Sequence, residues 1–181
     1  MRVISGTARG LKLASLPGDA TRPTLDNVKE AIFSMLFDSV REAKVLDLFA
    51  GSGALGIEAL SRGAKSCTFA DKSRGAVNVI SENLRKSRTD TMAEVLCDDF
   101  QNVLSTLASK GSKFNIIFLD PPYANGFIDV ALEKIASLSL LEAGGVVVAE
   151  FDNGTEIDIQ NYSLLKNKRY GRVCINILEA Q

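Results

Sequence analysis

The sequence predicts an α/β fold, a doubly wound parallel sheet that ends in an antiparallel hairpin. Three observations predict it. Between residues 45 and 151, short apolar runs alternate with stretches of helical periodicity, the pattern of parallel strands joined by crossover helices. Within that alternation, Phe114-Asn115-Ile116-Ile117-Phe118-Leu119 has the length and continuity of a strand buried on both faces. The tail breaks the pattern, because residues 162–168 and 172–178 flank Arg169-Tyr170-Gly171 and read as two antiparallel strands around a turn.

The elements follow in order. Residues 2–4 and 11–13 are short extended stretches joined by Gly-containing sequence, a small hairpin arm. Val28, Ala31, Ile32, Met35 and Leu36 recur at helical spacing, so residues 25–37 are expected to form an amphipathic helix. Strands are expected at 45–49, 66–71, 93–97, 115–120 and 146–151, with helices at 54–62, 76–86, 100–109 and 128–138 between them. No repeat, low-complexity tract or linker interrupts this order. One domain is therefore expected over residues 1–181, with an arm at 1–24 and a catalytic core at 25–181.

Composition bounds the function. An apolar fraction of 46% and a mean hydropathy of +0.09 describe a globular chain, not a disordered one. No apolar run approaches the roughly 18 residues of a membrane span. The start Met1-Arg2-Val3-Ile4-Ser5-Gly6 has no signal-peptide pattern, so a cytoplasmic protein is expected. Cys67, Cys97 and Cys174 fall in predicted strands and read as reduced core residues. With no histidine and no paired-cysteine motif, no metal site and no histidine relay are expected.

Two motifs carry chemistry. Lys44-Val45-Leu46-Asp47-Leu48-Phe49-Ala50-Gly51-Ser52-Gly53 runs from a strand into a glycine-rich turn and a helix, with Gly51, Gly53 and Gly56 at G-x-G-x-x-G spacing. Asp71 closes the next strand, suited to a ribose hydroxyl. Asp47, at the strand end before the glycines, would oppose a pyrophosphate but suits an ammonium and a sulfonium. The electrostatics favour S-adenosylmethionine over NAD. Phe49, Ala50 and Lys72 flank these positions and complete the expected cofactor contacts. Asp98, Asp99 and Phe100 form a third acidic strand end, which could meet an adenine or simply cap the following helix. The second motif is Asp120-Pro121-Pro122-Tyr123. Each proline removes an N–H and stiffens the loop, leaving bare carbonyls beside a carboxylate and an aromatic ring. Such a loop can accept hydrogen bonds from an exocyclic amino group while the tyrosine stacks on the base. Asp120, Pro121 and Tyr123 are the expected catalytic residues, with Pro122 and Tyr123 against the substrate base.

Arg2-Val3-Ile4-Ser5-Gly6-Thr7-Ala8-Arg9-Gly10 and Thr21-Arg22-Pro23-Thr24, together with the two motifs, resemble the RsmD family in order and without large insertions. That resemblance implies a class I S-adenosylmethionine-dependent methyltransferase fold with a small N-terminal arm. It also implies methylation of a guanine N2 in 16S ribosomal RNA, within a small-subunit ribonucleoprotein. Net charge is -1, but residues 1–23 hold Arg2, Arg9, Lys12 and Arg22 against Asp19 alone. Arg9 and Arg22 are the expected RNA contacts, and Arg22 could instead pair with the donor's carboxylate. A second basic stretch, Lys166, Lys168, Arg169 and Arg172, could touch phosphates or be ordinary surface. The competing functions are methylation of a DNA adenine N6 or a protein glutamine amide, a non-catalytic RNA-binding module, and a nicotinamide oxidoreductase. At 181 residues there is no room for a DNA target-recognition domain.

Overall fold

A computed structural model describes residues 1–16, 23–122 and 126–181. Arg22 and Tyr123, both expected at the site, lie outside the described residues. The chain forms one seven-stranded sheet in the order β3-β2-β1-β4-β5-β7-β6. β1 (Lys44–Asp47), β2 (Ser66–Asp71), β3 (Ala93–Cys97), β4 (Phe114–Leu119) and β5 (Leu141–Asp152) run parallel. β7 (Val173–Ala180) inserts antiparallel beside β5 and pairs with β6 (Tyr162–Tyr170) at the edge. The doubly wound sheet with its closing hairpin is thus as expected.

Helices cover both faces. α1 (Pro23–Leu36), α2 (Ala54–Ser61) and α3 (Arg74–Ser87) share one core with Val45, Phe69, Phe118 and Val148. α4 (Phe100–Ser109) and α5 (Phe127–Ser137) share the other with Leu46, Ile117, Leu119 and Val147. Alternation along each strand divides its side chains between these two cores. Pro23 starts α1, where its missing N–H is no loss and its fixed φ suits the first turn.

Two expectations change. β5 begins at Leu141 rather than near 146, because Gly144 at φ +72° carries the chain through an irregular register and lets pairing start earlier. Cys97 is exposed, because β3 is an edge strand with one side uncovered. The basic residues of the tail hairpin are exposed, and three of them have partners. Lys166 Nζ donates to the Met35 carbonyl at 2.6 Å and caps α1, Arg169 Nε bonds the Gly171 carbonyl, and Arg172 pairs with Asp152 at 3.4 Å.

The arm is a turn closed by one antiparallel bridge, Arg2 to Lys12, and it is docked on α2. Glu58 is fully buried and accepts the N–H groups of Ile4 at 2.8 Å and Ser5 at 3.0 Å. It also meets Lys29 Nζ at 3.0 Å and Arg62 Nε at 2.7 Å. Lys29 donates onward to the Arg2 carbonyl at 2.6 Å, tying α1 into the same network. Burial pulls the Lys29 ammonium below its ordinary pKa, against the attraction of Glu58. Periodicity puts Lys29 in phase with Ile32 and Leu36 and Glu58 within an apolar helix, but it names no partner for either charge.

α2 lies close on β2 because residue 56 is glycine. A Cβ there would sit 2.3 Å from Phe69 Cε1 and 2.7 Å from Cys67 Sγ, both fully enclosed. Gly56→Ala is expected to lose about 1–3 kcal/mol of stability by overpacking. A urea midpoint equal to the wild type's would show that the helix can retreat without cost.

Candidate active site

Sheet topology brings the two motifs together. β1 and β4 are neighbours, and the helices that follow them lie on opposite faces, so the order reverses between them. Such a switch point opens a cleft at the carboxyl ends of the strands. The glycine loop leaves β1 on one side of it, and Asp120-Pro121-Pro122 leaves β4 on the other.

The loop is held by the acids at the strand ends. Asp71 Oδ2 accepts the Gly51 N–H at 2.9 Å, and its Oδ1 accepts the Ser73 N–H at 2.8 Å. Asp47 Oδ2 accepts the Gly56 N–H at 2.9 Å, which tethers α2 to β1. Gly51 and Gly53 stand at φ +55° and +78°, and a Cβ on Gly51 would meet nothing within 4 Å. Backbone is therefore presented to open space beside Asp71, a cradle for a ligand that approaches closely. Ala50 is buried and donates its N–H to the Ala70 carbonyl, while Lys72 is exposed just past β2.

Four carboxylates share one edge. Val45, Phe69, Phe118 and Val148 all enter the same core, and two residues beyond each stands an acid on the same face: Asp47, Asp71, Asp120 and Glu150. Glu150 follows Ala149, which pairs with Leu119, so it comes into register beside Asp120. Burial, only partly offset by the Gly56 N–H, pushes Asp47 up to about 7, and Asp71 adds to the rise. Burial also holds Asp120 well above the usual carboxylate range, with Glu150 and then Asp47 contributing repulsion. An acidic edge in which burial makes Asp47 and Asp120 resist ionisation is a poor anion site and a good receptor for a cation. The donor inferred from Asp47 fits it.

Glu150 lay outside the residues expected at the site, though an acid inside Val146-Val147-Val148-Ala149-Glu150-Phe151 is a visible signal. Phe127 lay outside them too. On the other face, Phe49 lies 5.2 Å from Phe100 and 6.3 Å from Phe127, with Phe100 and Phe127 5.8 Å apart. These three rings cluster against the core beneath α4 and α5, just after β1 and at the starts of α4 and α5. Asp99 caps α4 by accepting the Gln101 N–H at 2.9 Å. Asp98 is exposed, and hydrogen bonds from the Asn102 side chain and the Asp99 N–H lower its pKa. Arg9 stands exposed on the turn of the arm. Pro121 is buried and Pro122 exposed.

Fold and cleft together define a class I methyltransferase, the S-adenosylmethionine-dependent architecture. A family model described as "Conserved hypothetical protein 95" matches residues 1–179. The chain belongs to this family, the RsmD family. It is similar to "Putative rRNA methyltransferase YlbH" of Bacillus subtilis, 39% identical over 173 residues and 94% of each chain. "Ribosomal RNA small subunit methyltransferase D" of Escherichia coli is 34% identical over 100% of this chain and 90% of that one. Among solved structures, "Putative methyltransferase yhhF from Escherichia coli" superposes with a TM-score of 0.86 at 33% identity, covering 100% and 99% of the two chains. The fold is shared more distantly with "SMU.776, a putative methyltransferase complexed with SAH", at TM-score 0.71 and 14% identity over 84% of this chain and 48% of that one.

Proposed function

We propose that this chain transfers a methyl group from S-adenosylmethionine to the exocyclic N2 of a guanine in 16S ribosomal RNA, acting on a small-subunit ribonucleoprotein in the cytoplasm. The observation that carries it is the pairing of the glycine loop with Asp120-Pro121-Pro122 across the switch point, and the names of the relatives above support the RNA substrate. No described helix is long and apolar enough to cross a membrane.

The donor would supply an electrophilic methyl group and leave as the neutral thioether, while N2 gives up one proton to Asp120 or to water. Asp71 and the backbone at Gly51 and Gly53 hold its nucleoside, with Phe49, Ala50, Lys72 and the Asp98-Asp99-Phe100 segment around the adenine. Asp47 stays close beneath the loop and balances positive charge. The lone pair of guanine N2 is delocalised into the ring and is a weak nucleophile. Hydrogen bonds from its N–H groups to Asp120 and to the Pro121 carbonyl favour a pyramidal nitrogen, whose lone pair then points away from the ring. Pro122 and Tyr123 bracket the flipped-out base, a stack worth about 1–3 kcal/mol. Positioning supplies most of the rate. Arg9 meets the RNA backbone, and Arg22 either joins it or pairs with the donor's carboxylate.

The test is methyl incorporation from labelled donor into undermodified small subunits, free 16S RNA and DNA in parallel. Label at a guanine N2 of the subunit or its RNA is expected. Label in DNA alone would overturn the substrate.

Two further outcomes are expected. Because Asp47 titrates near 7, ligand-free protein holds a proton there that the unfolded chain has lost, so its stability falls as pH rises from about 4 towards 7. A bound cation favours the ionised form, so S-adenosylmethionine affinity should climb through the same window and level off above it. Calorimetry in buffers of different ionisation enthalpy at pH 6 should register proton release, and Asp47→Asn should reduce it. Separately, Arg9→Ala should weaken RNA binding and lower the slope of log K against log salt by about 0.7–0.9, with donor affinity unchanged. An unaltered slope would leave Arg9 off the RNA.

A further inference from the structure

Asn83 stands on the inner side of α3 and is fully buried. Its Oδ1 accepts the Ala14 N–H at 2.8 Å, and its Nδ2 donates to the Ala14 carbonyl at 2.9 Å. This pair of bonds copies the exchange between two strand residues. The same Nδ2 donates to the Ser52 carbonyl at 2.9 Å. Ser52 lies between Gly51 and Gly53, and glycine loses the most freedom when held in one conformation. The loop therefore depends on bonds from outside it, and Asp71 and Asn83 both supply them, the latter with the end of the arm in its other hand.

The arm is anchored again near its turn. Ser61 Oγ donates to the Ser5 carbonyl at 2.6 Å and accepts the Ala8 N–H at 2.9 Å, while the Ser61 carbonyl accepts the Thr7 N–H at 2.8 Å. Gly6, at φ +84°, makes this docking possible, because a Cβ there would sit 1.7 Å from the Ser61 carbonyl oxygen. A continuous chain of short bonds thus runs from α2 through the arm and Asn83 to the glycine loop.

We infer that Asn83 is a positioning residue through which the docked arm sets the shape of the cofactor loop, so that arm docking and S-adenosylmethionine affinity are coupled. The inference rests on the cofactor site proposed above. It makes the segment that carries Arg9 an energetic partner of a loop it does not belong to. By linkage, donor binding stabilises the docked arm by the same factor as docking tightens donor binding.

The test measures the affinity of the full chain for S-adenosylhomocysteine, which cannot react, by calorimetry alongside melting curves. Three variants suffice: Asn83→Leu, similar in volume without the hydrogen bonds, Gly6→Ala, which undocks the arm, and the two combined. Each single variant, while folded, is expected to bind about tenfold more weakly, the scale of one lost buried hydrogen bond. The combined variant should be little weaker than either, because both break one link. Lower melting temperatures with unchanged affinity would overturn the inference, as would two losses that simply multiply. If Asn83→Leu does not fold, Gly6→Ala decides alone, since its site is remote from the loop. A wild type that binds neither S-adenosylmethionine nor S-adenosylhomocysteine would overturn the cofactor reading itself, and this inference with it. A wild type that binds, with indifferent variants, overturns only this inference.

Discussion

Asp120→Ala is expected to slow single-turnover methylation by roughly 10²- to 10³-fold, the loss typical of removing one preorganised hydrogen-bonding group from a reacting centre. Donor affinity should change far less, because the contact gains strength only as the nitrogen becomes pyramidal. The pH profile gives a second readout. Burial, Glu150 and Asp47 all favour the protonated form of Asp120, whereas accepting N–H groups requires the carboxylate. The rate should therefore rise with pH through a window well above the usual carboxylate range and then level off. Glu150→Gln removes the neighbouring like charge, so the rise should move to lower pH. Asp120→Asn keeps the shape and one acceptor, and should retain more activity than Ala. Wild-type rates in folded Asp120→Ala, measured with saturating donor and RNA, would remove this loop from the chemistry.

Glu58→Ala is expected to destabilise the protein by about 3–5 kcal/mol, the range for breaking a buried ion pair from one side. Such a loss is a large part of the ~5–15 kcal/mol that holds most domains. The substitution strands Lys29, only 3% exposed and already reluctant to carry its charge, and takes the acceptor from the Ile4 and Ser5 N–H groups. Arg62 loses its partner while keeping its place over the Phe33 ring, 4.7 Å from the centroid. Urea unfolding measures the loss, and limited proteolysis should show the arm cut first. Glu58→Gln keeps an acceptor and the side-chain volume and should lose less. An Ala variant with an unchanged midpoint and an intact arm would mean that other contacts hold the arm in place.

Much of this protein was legible in its sequence, because the relevant physics is local. Strand and helix periods, Pro23 at a helix start, Asp99 at a cap and the glycine turn after β1 each depend on a few neighbouring residues. β2, β3 and α4 occupy the expected residues, and the other boundaries move by a few positions, with β5 the largest change where Gly144 bends the chain. Asp47, Asp71 and Asp120 were legible as strand-end acids for the same reason.

What needed the tertiary structure is which of those ends stand side by side. Only the order β2-β1-β4-β5 sets Asp71, Asp47, Asp120 and Glu150 along one edge, and burial there, with that proximity added, raises Asp47 and Asp120. Helical period sets Lys29 beside Ile32 and Leu36 and Asn83 beside Val79 and Ile80, and Glu58 interrupts an otherwise apolar helix, so the pattern marks all three for burial without naming a partner. Each is satisfied there because the arm, nearly thirty to seventy residues away in the chain, folds back and offers backbone groups that need partners. Cys97 went the other way, exposed because β3 is left at an edge. Local pattern decides what an element is. Which unpaired backbone a buried polar side chain meets is decided by contacts remote in sequence, and no local pattern names that partner.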